Sequence, residues 1–428
     1  MINTTLEGKQ FMSEVATHVS ALERSDEEWN SRALAVLPGG VSRSLAAVFP
    51  LIPRIISGSG FMVTVETGRS WIDFNNNFTS LIHGHAHQPT VDAAVQAIRT
   101  GACFGATTQI EIEYSEYLVS RIGWTEQIRF SNSGTEAVMV AMRLARGVTG
   151  RNLIVLQSPA YHGGADAALP SVGESLMNGV AHSARLETVT IPVGNKEALQ
   201  YIMDSRGSEI AGIVLDLMPE RAGGNPLDRS YVDLARQLTT QHGAKLIVDE
   251  VVSFRQFVRG MAVDYFHIEP DIMVIGKIIG GGFAVGAVVG RTEIMSAFDP
   301  REEKPVFHGG TFSGNPVTMA AGGATMRYFE QSDISRLNDL SDEFRSLLRP
   351  RLQPLGVDIL GTGSLSKMVN LSPKPGAGWQ RDIFRALIDR EILTTPSLRF
   401  ALSTPMDIGI IIESVDRIAD GVRAVVNN

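Results

Sequence analysis

At 428 residues the chain is longer than one hydrophobic core supports, since cores stop growing near ~250–300 residues, so two lobes are expected. With 44% hydrophobic and 20% charged residues it has the apolar material for a sizeable core and too little charge density for disorder. Its 38 basic and 46 acidic residues give a net charge of -8 without a basic stripe to follow a phosphate backbone, so no nucleic-acid partner is expected.

The single cysteine, Cys103, has no intrachain disulfide partner. It fits a reducing compartment, the cytoplasm, and reads as a small buried apolar residue. Residues 1–15 lack a basic start followed by an apolar stretch, so no signal peptide is expected. The most apolar segment, 272–290, is interrupted by Lys277, and its uninterrupted remainder of 13 residues falls short of the ~20 that cross a bilayer. No membrane association is expected.

The first ~70 residues contain an early helix and then Pro38-Gly39-Gly40, and residues 1–74 are assigned to a small lobe or a subunit contact. Short apolar runs then alternate with amphipathic segments: a strand at 127–130, a helix at 136–146, strands at 152–157 and 210–215, a helix at 231–242, and strands at 245–248 and 272–275. This pattern predicts βαβ units, an α/β fold with a mostly parallel sheet flanked by helices, over a large domain at 75–320. From 321 to 428 helices at 334–352 and 407–426 enclose strands at 367–371 and 400–403, which predicts a smaller α+β domain.

Three strand ends carry chemistry. Ser131-Asn132-Ser133-Gly134-Thr135-Glu136 places small hydroxyl residues and a glycine at a helix N-terminus, where free amides and the helix dipole favour a phosphate; the plainer reading is an N-cap. The strand at 245–248 ends in Asp249 and Glu250, and acids at the carboxyl ends of strands face the ligand crevice of an open α/β sheet. A Walker-type metal acid is disfavoured because no GxxxxGK[ST] precedes it. Lys277 ends the strand at 272–275 between glycines, where desolvation supplies the neutral amine a Schiff base needs; alone it reads as a lysine reaching out of a strand end. Together the three match the anchors of pyridoxal 5′-phosphate: a phosphate cradle, Asp249 for the ring nitrogen and Lys277 for the aldehyde.

The motifs Pro38-Gly39-Gly40, Gly84-His85-Ala86-His87, Phe104-Gly105-Ala106, 131–136, 143–146, Tyr161-His162-Gly163, Asp249-Glu250-Val251, 276–282 and 310–316 resemble those of class III aminotransferases of fold type I. Within that family the likeness is to glutamate-1-semialdehyde aminomutase and to β-amino-acid (β-phenylalanine-type) aminotransferases. The resemblance implies that Ser133, Gly134 and Thr135 hold the phosphate, that Tyr161 stacks on the cofactor ring, and that His162 and Val251 belong to the cofactor site. It implies catalytic roles for Lys277, Asp249 and Tyr161. It also implies a homodimer in which Thr311 reaches the partner subunit's phosphate. His83, His85 and His87 then form a loop near the cofactor and no metal site.

A carboxylate on the substrate needs an arginine, whose planar fork donates two hydrogen bonds to it. The aminomutases place theirs at the position of Ala46, whereas the β-amino-acid enzymes carry it in a Ser-Arg-Ser such as Ser42-Arg43-Ser44. Arg43 is therefore the expected substrate clamp, and Arg399 a second one. Asp216-Leu217 departs from the family's Glu-Pro, which puts in doubt how the ring is braced. The expected activity is transfer of an amino group from a β-amino acid or related ω-amine to a 2-oxo acid. A 2,1-aminomutase is the alternative and a pyridoxal-phosphate-binding regulatory protein the non-enzymatic one. A dehydrogenase lacks its dinucleotide fingerprint here.

Overall fold

The computed structural model describes residues 26–49, 51–372, 376 and 378–426. The first 25 residues, including the stretch at 1–15, lie outside the described residues. The dominant element is a seven-stranded sheet in the order Gln127–Ser131, Gly286–Gly290, Ile272–Gly276, Lys245–Asp249, Ile210–Leu215, Leu153–Ser158, Thr188–Pro192. Gly286–Gly290 runs antiparallel to both neighbours, and the remaining strand pairs are parallel.

The central strands form because both of their faces are covered. All six residues of Ile210–Leu215 are buried, and side chains alternate between two cores with the period of two that a strand imposes. Ile154, Val214, Ile247, Val274 and Val288 pack on one side with Ala137, Val140, Ala141 and Leu144 of helix Gly134–Thr149. Val155, Ile213, Leu246, Met273 and Val289 pack on the other side. Burying one such leucine or isoleucine contributes about 1.5–3 kcal/mol.

A three-stranded antiparallel sheet, Val357–Thr362, Leu365–Asn370 and Arg399–Ala401, lies among helices Gln331–Leu352, Trp379–Ile388 and Ile408–Val426. A further four-stranded sheet joins Ile55–Ser59, Met62–Val65 and Ser70–Asp73 to the distant Ile392–Leu393. No helix among the described residues is long and apolar enough to cross a membrane. Cys103, expected inside, is exposed, with Sγ 3.5 Å from the Thr311 carbonyl oxygen. Its loop lies beside the 310–316 turn on the surface and not in either core.

Candidate active site

The carboxyl ends of the strands converge. Strand Lys245–Asp249 closes on Asp249, which is 8% exposed: its Oδ2 lies 2.8 Å from His162 Nδ1 and its Oδ1 accepts the Val251 amide at 3.1 Å. His162 is 1% exposed and its Nε2 has no partner among the described residues. Beside Asp249, Glu250 serves the fold. It accepts the amides of Met261 (2.7 Å) and Ala262 (2.8 Å) and the Ser253 hydroxyl, and burial pushes its carboxyl up to about 7.

Lys277 follows strand Ile272–Gly276 with φ 52, a left-handed conformation uncommon for a residue with a side chain and characteristic of functional sites. Burial lowers its amine from 10.5 to about 8, against the opposing pull of Asp249 and Asp216 and with some help from Arg255. At neutral pH this gives roughly 300 times more neutral amine than an ordinary lysine holds.

Ser133 caps helix Gly134–Thr149, its Oγ accepting the Glu136 amide at 3.1 Å, so the plain N-cap reading holds for that atom. The first amides of the helix are left without an intrahelical acceptor. The side chain of Val251 wedges between Gly134 and Gly276, placing the helix start next to the strand that delivers Lys277. The loop carrying Tyr161 and His162 closes over the helix start at Gly163. Its φ is 95, and a Cβ there would stand 2.5 Å from Thr135 Oγ1 and 2.7 Å from Thr135 Cα. Gly163→Ala should therefore push this loop off the helix and weaken cofactor retention at least tenfold, read as the concentration needed to restore half-maximal activity after dialysis. Tyr161 is 44% exposed at the mouth, and burial of part of its ring raises its hydroxyl above the ordinary value.

The structure thus brings together Ser133, Gly134, Thr135, Tyr161, His162, Asp249, Val251 and Lys277. Arg43 lies in the exposed loop before Ser44–Ala46, its Nη1 2.9 Å from Asn77 Oδ1. Arg399 is buried and tied to Glu220, whose other oxygen accepts Ser397 Oγ at 2.7 Å and lies 3.4 Å from Lys367 Nζ. Asp216, Glu220, Lys367 and Arg399 line a small cavity behind the strand ends. Burial and the nearby Asp249 raise Asp216 to about 6. Neither Glu220 nor Lys367 stands out in the sequence. Thr311 is exposed on the 310–316 turn.

His83 and His87 stack with ring centroids 4.2 Å apart, but each of the three histidines has its own hydrogen-bond partner. His83 meets Thr404 and the Thr325 carbonyl, His85 meets Asp73, and His87 meets Thr90. Among the described residues no group of three or more His, Cys, Asp or Glu is placed to hold a metal ion.

A family model, aminotransferase class-III, matches residues 48–366. The chain belongs to the class III aminotransferases. Among curated relatives of this class III aminotransferase is a glutamate-1-semialdehyde 2,1-aminomutase of Methanothermobacter thermautotrophicus, 36% identical over 79% of this chain and 82% of that one. A transaminase solved with pyridoxal phosphate bound is 35% identical with TM-score 0.90, covering 94% of this chain and 97% of that one. A β-phenylalanine aminotransferase from Variovorax paradoxus is 26% identical with TM-score 0.84, covering 98% and 97%. Fold type I, expected from the motifs, is the fold found, and pyridoxal 5′-phosphate is the cofactor. The residues present fit it: an amide-rich helix start, a carboxylate held in place by His162, and an amine kept largely desolvated.

Proposed function

We propose that this class III aminotransferase moves an amino group from a carboxylate-bearing amine, a β-amino acid or related ω-amine, to a 2-oxo acid, as a cytoplasmic homodimer. The observation that carries the chemistry is the amine of Lys277, lowered to about 8 at a strand end beside Asp249. When bound, pyridoxal phosphate supplies the electron sink that stabilises a carbanion at the substrate carbon bearing nitrogen. Ser133, Gly134 and Thr135 would hold its phosphate, Tyr161, His162 and Val251 would enclose its ring, and Asp249 would keep the ring nitrogen charged. Lys277 Nζ would take the proton from the substrate carbon as base and, as acid, hand it to the cofactor carbon that carried the aldehyde within the same half-reaction, the second half-reaction running this transfer in reverse. Exposed Phe104, Phe307 and Phe312 around Thr311 favour a second copy covering that face.

Transfer to a second carbonyl compound is favoured by the transaminase at 35% identity and by Ala46 standing where the aminomutase resemblance calls for an arginine. The second reading is the 2,1-aminomutase. The curated relatives support it more strongly than they support transfer, several aminomutases being 30–38% identical. Incubation of the holoenzyme with glutamate-1-semialdehyde alone, against β-amino donors with pyruvate or 2-oxoglutarate, separates the two. Appearance of 5-aminolevulinate without any acceptor would establish the second reading. Under the first, Arg43→Ala raises KM for carboxylate-bearing donors at least tenfold more than for amines that lack one, and Arg399→Ala does not reproduce that selectivity, because Glu220 already engages Arg399.

A further inference from the structure

The segment Asn76–Thr79 is a left-handed turn of four consecutive residues with side chains, at φ 47, 48, 55 and 76. Such a run persists only where its surroundings over-determine it. Asp73 Oδ1 accepts the amides of Asn75 (2.7 Å) and Asn76 (2.9 Å), and His85 Nε2 lies 2.7 Å from the same carboxylate's Oδ2. Asn75 Oδ1 accepts the Phe78 amide at 2.6 Å, and Asn76 Nδ2 donates to the Ala401 carbonyl at 2.7 Å. At the far end, buried Arg255 donates to the Thr79 carbonyl at 3.2 Å and also binds Ser364 Oγ and the Leu402 carbonyl.

What this scaffolding presents is one guanidinium. Asn77 Oδ1 accepts from Arg43 Nη1 at 2.9 Å, and the Phe78 ring lies under the Arg43 guanidinium at 5.0 Å. Both partners are neutral, and among the described residues no carboxylate pairs with Arg43. Arg399 is the opposite case, already engaged by Glu220. A neutral acceptor at one donor and an aromatic face beneath the plane orient a guanidinium without cancelling its charge, leaving a free edge for a bidentate carboxylate.

We propose that Asn77 and Phe78 are positioning residues for substrate recognition. They hold Arg43 aimed, and their being neutral leaves its charge uncancelled, so that the site selects amines that carry a carboxylate. This rests on Arg43 being the substrate clamp, as proposed above. An acid at position 77 would occupy the fork of Arg43 as an internal rival of the substrate.

The test is Asn77→Asp in the holoenzyme, with a β-amino acid and 1-phenylethylamine as donors and with 3-phenylpropanoate, a carboxylate lacking the amine, as a calorimetric binding probe. The expected result is a rise of at least tenfold in KM for the β-amino acid and in Kd for 3-phenylpropanoate. Change in kcat and in KM for the plain amine should stay within about threefold. Asn77→Ala, which frees Arg43 without neutralising it, should shift the same constants about threefold. In an Arg43→Ala background Asn77→Asp should add nothing. If Arg43→Ala discriminates between the donors and Asn77→Asp does not, the positioning role is overturned while the clamp stands. If Arg43→Ala affects both donors equally, clamp and positioning role fall together. If Asn77→Asp lowers kcat for both donors alike, or loses activity together with a lowered unfolding temperature that Asn77→Ala shares, the turn is merely structural and the proposal is overturned.

Discussion

Lys277→Ala should lower kcat by at least about 10⁴-fold, because it removes both the nucleophile that carries the cofactor and the base that moves the proton. Fold should survive. Alanine faces the same left-handed backbone as the lysine it replaces, so no new strain enters at φ 52, and the unfolding temperature should move by only a few degrees. Borohydride treatment of wild-type holoenzyme should add the reduced cofactor's mass to the peptide containing Lys277, and the variant should show no addition. Activity within tenfold of wild type would refute the assignment. The lowered amine gives a second, independent readout: with a pKa of about 8, the rate at which apoprotein captures the cofactor should climb with pH, reach half its maximum near 8 and level off about one unit above. Burial penalises the ammonium and lowers the value, while Asp249 and Asp216 stabilise the ammonium and pull it back up, so burial wins. An ordinary lysine would still be climbing two pH units higher.

What the sequence made legible was whatever ends an apolar run. Asp249 and Lys277 each terminate a strand buried on both faces, and such strands in parallel sheets are nearly continuous in Val, Ile and Leu, which marks both the strand and its functional end. Gly286–Gly290 escaped notice because it has only three residues between its glycines, and a run that short shows no period. Thr188–Pro192 lies at the sheet edge with a half-exposed pattern that a loop shares. The sheet formed by 55–73 is closed by Ile392–Leu393, a partner more than 300 residues away. The site shows the same divide. The cofactor-facing residues lie in local motifs, whereas the Glu220–Arg399 pair and the Asn77–Arg43 contact exist only through tertiary folding. Asn75-Asn76-Asn77-Phe78-Thr79 reads as any polar loop until Asp73, Arg255 and the Ala401 carbonyl converge on it.

Asp249→Asn should lower kcat about 10²–10³-fold, the scale of losing one preorganised electrostatic partner in a buried site. Asparagine keeps the volume and an oxygen for the Val251 amide, and its NH2 then faces His162 Nδ1, which accepts it in the tautomer protonated at Nε2, so packing and cofactor attachment should persist; what disappears is the charge. That charge also reaches two neighbours. Asp249 raises Lys277, so its removal should shift the midpoint of cofactor capture below about 8. It also raises Asp216, which should then ionise below about 6. Packing damage does not reproduce both shifts, which makes the pH profile more telling than the rate. The adjacent carboxylate supplies the contrast. Glu250 is fully buried against the Met261 and Ala262 amides and points into the fold, so Glu250→Gln should cost about 1–3 kcal/mol of stability and leave the pH profile of cofactor capture in place. If the two variants behaved alike, with lost stability and an unmoved pH profile in both, Asp249 would be a second structural acid. The electrostatic work at the ring nitrogen would then need another owner, and Asp216 is the carboxyl group whose titration already responds to the same site.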